Sequence, residues 1–386
     1  MITFSLDTPR VAPTIKVVMG NSSQVHVTKN SLYLTSPSYV NIPMRCPINA
    51  RCIMPMRTQG TYTTVHQFSL PTLGYNYSTA VKGTTYSQYS MDESNGIFRI
   101  VTSDSSDSMN RVATNVYTID GKGKAVGKLE RIAPGEQFHG VRFIDNYLYL
   151  VTYRQIDPLF VINMSDVTKP TIIGQLKMPG YSAYLHPYGP RQGNIQYLIG
   201  LGFNTSLDIY GNERQDGIKL DLYKIDFAKK DTAGNVSVVQ AWTKTLGGQG
   251  SQTEAMYNPR MFMFNSATKE LLLPLAIART EKSQQCTVVY DRNGVEIRKD
   301  CYPQDISITE FAGMKGRTLS PEGLRETISI DYKESLKYPY NYGTPVSNVI
   351  DPWILSSLMP RVGYMGTTYY FINTQFAHLF SKSNLK

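Results

Sequence analysis

Seven polar residues stand near the starts of short apolar runs along this chain: Gln88, Glu136, His139, Arg142, Ser182, His186 and Glu254. Carboxylates and imidazoles are the groups that move protons, and a guanidinium holds anions. A fold that gathered these residues would own a ligand site or an acid–base centre. Each also has a plain structural use. His186 precedes Pro187 between Tyr184 and Tyr188, so it reads either as a ligand group or as a packed ring bonded to a backbone carbonyl. His139 carries the same two readings. Glu254 reads as a cation ligand or as a carboxylate that satisfies backbone N–H groups. Arg154 and Asp157 lie three apart and are followed by Pro158; they are expected to pair and hold a turn between strands.

The sharper signatures of chemistry are missing. There is no Gly-x-x-x-x-Gly-Lys-Ser/Thr loop, no His-Glu-x-x-His and no Gly-x-Ser-x-Gly. The stretch Asp104-Ser105-Ser106-Asp107-Ser108 lacks the glycine and the distant glutamate of a calcium loop. No cofactor and no metal are therefore expected, and no catalytic residue is assigned. The four cysteines fall in two local pairs, Cys46 with Cys52 and Cys286 with Cys301. Neither pair has Cys-x-x-Cys spacing and no histidine is adjacent, which disfavours zinc. Asn293-Gly294 tolerates positive φ at both positions and reads as a two-residue hairpin turn. If Arg292 faces Val295, Cys286 faces Cys301, but at a hydrogen-bonded site, whereas cross-strand disulfides prefer the closer non-hydrogen-bonded pair. A bulge would restore the parity. Locally paired cysteines point to an oxidising compartment.

The net charge of +9 makes anionic partners conceivable. The basic residues are scattered, however, so a solvated basic surface is the plainer reading and nucleic acid is disfavoured. No apolar run reaches the ~20 residues of a membrane span. Met1 to Asp7 does not read as a signal peptide but as an interior strand, as if part of a fold began upstream.

These side chains must be positioned by strands. Short apolar runs bounded by Gly, Pro, Asn and Asp recur, and the 27 tyrosines suit half-buried strands because the ring packs while the hydroxyl stays wet. One phrase repeats: a turn residue, then an apolar strand ending in a small or polar residue. It appears as Asn30-Ser31-Leu32-Tyr33-Leu34, Asn95-Gly96-Ile97-Phe98-Arg99-Ile100-Val101 and Asn146-Tyr147-Leu148-Tyr149-Leu150-Val151. Looser copies begin at Gln196, Glu270 and Gly366. Residues 138–179 read as four successive strands, with inner ones apolar throughout because both faces are covered. The predicted fold is all-β: one β-propeller domain over 1–386 with four-stranded antiparallel blades. About six blades are visible, at roughly 15–85, 88–132, 138–179, 181–246, 254–301 and 350–386, in a ring that leaves room for further strands at its N-terminal end. Segment 302–350 reads as an insertion, and Ser320-Pro321-Glu322 as the opening of a short helix.

The stretch Tyr149-Leu150-Val151-Thr152-Tyr153-Arg154-Gln155-Ile156-Asp157-Pro158, continuing to Pro179-Gly180-Tyr181-Ser182-Ala183-Tyr184-Leu185-His186, resembles a family of secreted bacterial and archaeal proteins. That family carries a C-terminal β-propeller distantly related to WD repeats. Glu254-Ala255-Met256-Tyr257 and Tyr364-Met365-Gly366 extend the likeness, which covers most of 15–300 and part of the C-terminus. The resemblance implies an exported or cell-surface protein and no particular reaction.

Propeller ligands usually bind at the central channel or on the loops of one face. Gln88, Glu136, His139, Arg142, His186 and Glu254 are the channel candidates. The favoured function is a non-enzymatic secreted or surface scaffold that binds protein or glycan or associates with itself. The alternatives are a hydrolase or lyase at the channel mouth, and a binder of anionic polymers.

Overall fold

The computed structural model describes residues 1–3, 7–8, 10–17, 22–43, 57–105, 112–153, 157–207, 213–290, 292–331, 361–365, 368–372 and 377–381. Among them, six antiparallel sheets follow one another along the chain, five of four strands and a last one of three. In each sheet the strands are hydrogen-bonded in chain order, which is the meander of a propeller blade. A two-stranded pair, Ile2–Thr3 with Thr14–Ile15, precedes them. No helix among the described residues is long and apolar enough to cross a membrane. The chain divides into two compact units, Met1–Lys177 with Lys230–Ser237, and Met178–Lys229 with Val238–Lys386.

The first unit holds three blades. The first comprises Gln24–Val27, Ser31–Pro43, Arg57–Ser69 and Gly74–Lys82. The second comprises Met91–Ser94, Ile97–Asp104, Ala113–Ile119 and Ala125–Ile132. The third comprises Gln137–Ile144, Tyr147–Tyr153, Asp157–Asn163 and Thr171–Met178, the last ending at the unit boundary. Local chemistry makes the turns. Asn95 and Gly96 both take positive φ (51° and 73°), and Asp145 does so at 52°; Asn, Asp and Gly enter this region at least cost. The second and third strands are apolar because both faces pack. Val101 and Val116 of the second blade meet Val141, Leu148, Leu150, Phe160 and Ile162 of the third. Tyr33 and Val65 of the first meet Phe98, Ile100 and Ile119 of the second. Fourth strands alternate buried and exposed residues, as an outer edge should.

The second unit begins with the blade Tyr181–Pro187, Ile195–Leu207, Glu213–Lys230 and Val236–Leu246. The next is Met263–Asn265, Glu270–Tyr290, Glu296–Ser320 and Gly323–Asp331. The last sheet is Arg361–Met365, Thr368–Ile372 and Ala377–Ser381.

Here the structure corrects two expectations. Residues 302–331 are not insertion but the rest of two strands of this blade. Ser320-Pro321-Glu322 opens no helix: it is the turn between those strands, with the Glu322 N–H donating to the Ser320 hydroxyl at 3.3 Å. Proline's fixed φ suits the second position of a turn as well as the first turn of a helix, so the local sequence satisfied both.

The strands Glu270–Tyr290 and Glu296–Ser320 run past their blade as a long hairpin that carries the Cys286–Cys301 disulfide, Cα to Cα 4.0 Å. Its tip is not a two-residue turn. Tyr290 pairs with Glu296 while Val289 pairs with Arg298, which leaves Ile297 as a bulge. That extra residue restores the parity and brings the cysteines to the close spacing of a non-hydrogen-bonded pair. Cys46 and Cys52 lie outside the described residues.

Candidate functional site

In the first unit, the first strands of three blades contribute to one cleft of about 580 Å³. Val25, His26 and Val27 come from the first blade, Met91 and Asp92 from the second, and Arg142 and Phe143 from the third. Gln88 and Tyr89 belong to a short 3₁₀ turn, Gln88–Ser90, that leads into the second blade. Its N-cap is Ser87, whose hydroxyl accepts from the Tyr89 N–H at 3.0 Å. Two of the sequence candidates, Gln88 and Arg142, are thus brought together although 54 positions apart in the chain.

The cleft's charges are unevenly engaged. Asp92 is bound by Arg99, whose Nε lies 2.9 Å from Oδ2. Arg99 also donates to the Asp145 carbonyl at 2.8 Å and lies over the Phe143 ring at 5.0 Å. It therefore locks the second blade to the third behind the cleft wall. Arg142 stacks its guanidinium on the Tyr89 ring at 4.8 Å. Stacking orients a cation while leaving its N–H edges able to donate. Burial pushes the His26 imidazole below its ordinary value, more strongly than Asp92, the Gln88 backbone and Glu93 raise it. Beside it, Glu93 accepts from Tyr33 Oη and Thr28 Oγ1, both at 3.0 Å. Burial first, and then Glu93, hold the Tyr33 phenol far above its usual range. The cleft thus combines one stacked cation and one amide with apolar walls, its carboxylate being engaged by Arg99.

The other candidates are used differently. Glu136 accepts from the Thr152 hydroxyl at 2.5 Å. His139 is the extra residue of a bulge between Phe138 and Gly140, and its ring lies edge-on to Tyr153 at 5.7 Å. Desolvation lowers its pKa although the residue still meets solvent. Neither residue lines the cleft. In the second unit, His186 Nδ1 lies 3.0 Å from Tyr184 Oη, with Phe262 and Phe264 against the ring. Glu254 heads a 3₁₀ turn, Glu254–Met256, whose N-cap is Thr253, and burial raises its carboxyl pKa. The expected Arg154–Asp157 pair lies outside what the structure describes. No group of three or more His, Cys, Asp or Glu that could hold a metal occurs among the described residues.

Ser182 belongs to a network that sequence reasoning missed. Its hydroxyl meets Tyr223 Oη at 2.8 Å, and that phenol donates to Asp221 Oδ2 at 2.6 Å. Asp221 also accepts from Gln240 at 2.6 Å and lies 3.3 Å from Lys219 Nζ, which donates to the Pro179 carbonyl at 2.6 Å. Asp221 is 0% and Lys219 3% exposed. Gly200 makes the room: a Cβ there would lie 2.4 Å from Ser182 Oγ and 2.6 Å from the Tyr223 ring. The signal was present as Lys219, Asp221 and Tyr223 on alternate positions of an inner strand. Charges on a strand with both faces covered must be paired inside.

The successive four-stranded meanders, packed blade on blade, define a β-propeller protein. The chain belongs to the Beta propeller domain family, whose model matches residues 1–318. It is 36% identical over 155 residues to an uncharacterized protein of Methanocaldococcus jannaschii, a match covering 37% of this chain and 24% of that protein. It is 31% identical over 169 residues to an uncharacterized protein of Archaeoglobus fulgidus, covering 43% of this chain and 24% of that one. The matched stretch is therefore about a quarter of each relative's length.

Proposed function

We propose that the chain is a non-enzymatic binding scaffold, exported or held at the cell surface, and that its cleft receives a protein segment bearing a carboxylate. The observation that carries this reading is Arg142, stacked on Tyr89 in a cleft whose carboxylate, Asp92, is already bound by Arg99. Gln88 supplies an amide beside it, and Val25, Val27 and Phe143 supply apolar contact, the mixture that orients a peptide. The Cys286–Cys301 disulfide supports an oxidising address. Glu136, His139 and His186 are each engaged by neighbouring side chains, which favours binding over acid–base catalysis.

The test is an array of acidic peptides and their amidated counterparts, probed with the wild type and with Arg142→Ala. Binding that needs the carboxylate, weakens by about tenfold or more without Arg142 and falls with salt supports the reading. Equal binding of both peptide sets, or of both proteins, refutes it. Address is tested separately: protease access on intact native cells is expected, and a protected protein with reduced Cys286 and Cys301 overturns the surface assignment.

A further inference from the structure

A second cleft in the first unit, of about 400 Å³, has a different character. Hydroxyl side chains dominate its wall, among them Thr61, Thr63, Thr84, Thr85, Ser103 and Ser105. Tyr39 and Tyr86 also line it and remain 61% and 55% exposed. Among the described residues that line it, none is Lys, Arg, His, Asp or Glu, although the whole chain carries a net charge of +9. The described wall is uncharged. It offers groups that both donate and accept hydrogen bonds, and aromatic faces for apolar contact.

The wall is built rather than accidental. The connection between the first and second blades is pinned to Ser103 by two backbone bonds, Thr84 N to Ser103 O and Ser103 N to Thr84 O, each 2.8 Å. Gly83 makes this approach possible, since a Cβ there would lie 2.6 Å from the Ser103 carbonyl oxygen. Thr63 donates to the Gly83 carbonyl at 2.7 Å. Tyr86 is braced against Phe138, ring centroids 5.5 Å apart.

Within this fixed frame one polar atom has no partner. Thr85 is 8% exposed, and its hydroxyl oxygen is buried without a hydrogen bond. A buried hydroxyl left unsatisfied destabilises the fold, so an orphan one calls for an explanation. Thr85 is itself one of the residues that line the cleft. We infer that this cleft binds an uncharged sugar unit, whose hydroxyls match the Ser and Thr wall, whose apolar ring face meets Tyr86 or Tyr39, and which gives Thr85 its missing partner. The cleft is separate from the one at Arg142, so the two readings stand or fall independently.

The experiment uses the whole chain with glucose, galactose, mannose and N-acetylglucosamine, each as the free sugar and as short neutral oligosaccharides, with galacturonic acid as the charged control. Saturation-transfer NMR detects binding and calorimetric titration measures it. At least one neutral sugar is expected to bind, and Tyr86→Ala to weaken it by about tenfold or more. Thr85→Val is expected to weaken it by several-fold while leaving thermal stability unchanged or higher, because the substitution removes an unpaired hydroxyl and keeps its shape. Arg142→Ala should bind the sugar as the wild type does. Preference for an oligosaccharide identifies a glycan chain as the source, and equal binding of the free sugar identifies a small solute; both support the inference. It is overturned if no neutral sugar binds the wild type, if galacturonic acid binds better than its neutral counterpart, or if Thr85→Val and Tyr86→Ala both bind as the wild type does.

Discussion

Asp221→Asn tests the buried charge network of the fourth blade. The substitution nearly preserves shape and removes one charge. Tyr223 and Gln240 donate to different oxygens of Asp221, and asparagine keeps only one of the two, while Lys219, 3.3 Å away and 3% exposed, is left with the Pro179 carbonyl. Breaking one side of a buried ion pair costs about 3–5 kcal/mol, because the remaining charge has no water to return to. At an unfolding entropy of about 2.1 cal/mol/K per residue, a chain of 386 residues shifts by about 1.2 °C per kcal/mol, so melting should fall by roughly 4–6 °C. Lys219→Met removes the other charge and leaves Asp221 with two donors, so it should cost less. The double variant should recover at least about 2 kcal/mol relative to Asp221→Asn, since the two residues are coupled. The assay is a double-mutant cycle by urea denaturation, with tyrosine fluorescence and circular dichroism followed together. A loss under about 1 kcal/mol for Asp221→Asn, or strict additivity in the cycle, refutes the claim that the pair is a buried, mutually dependent unit.

Removing the disulfide by Cys286→Ser with Cys301→Ser should act locally, because the bond staples a hairpin that extends past its blade. Closing a loop of 15 residues is worth about 3 kcal/mol, so hairpin amides should lose up to about two decades of hydrogen-exchange protection. Matching loss in the strand Tyr147–Tyr153 would contradict that locality. Because burial holds His26 below the ordinary value of 6.5, the unfolded chain takes up this proton first as pH falls. Stability should thus be full above that value and decline below it, and His26→Asn should reduce the loss measured between about pH 7.5 and about pH 5.5; an unchanged slope counts against the assignment. Gly200→Ala places a methyl against Ser182 and the Tyr223 ring, so chemical denaturation should register a loss of about 1–3 kcal/mol, and a neutral result would mean that the strand yields.

Much of the blade pattern was legible because its causes are local. Asn95, Gly96 and Asp145 take the left-handed backbone that closes tight turns. The unbroken apolar stretch Tyr147–Tyr153 announces a strand covered on both faces. The hairpin parity was legible too, down to the need for a bulge, which Ile297 supplies. The fifth blade was misread where local rules allow two answers, since Ser320-Pro321-Glu322-Gly323 satisfies a turn and a helix start alike.

By itself, the sequence determined an all-β chain of repeated meanders and a pair of facing cysteines, and it offered Gln88 and Arg142 as candidates far apart in the chain. Only the tertiary structure decided that these two meet, with His26, Tyr89 and Asp92 around them. It also brought Ser182 and Gln240 to the Tyr223–Asp221 pair and set the hydroxyl wall beside Tyr86. The physical reason is range. Turn and strand preferences act over a few residues, whereas each of these sites joins side chains from different strands whose register is fixed when the blades pack.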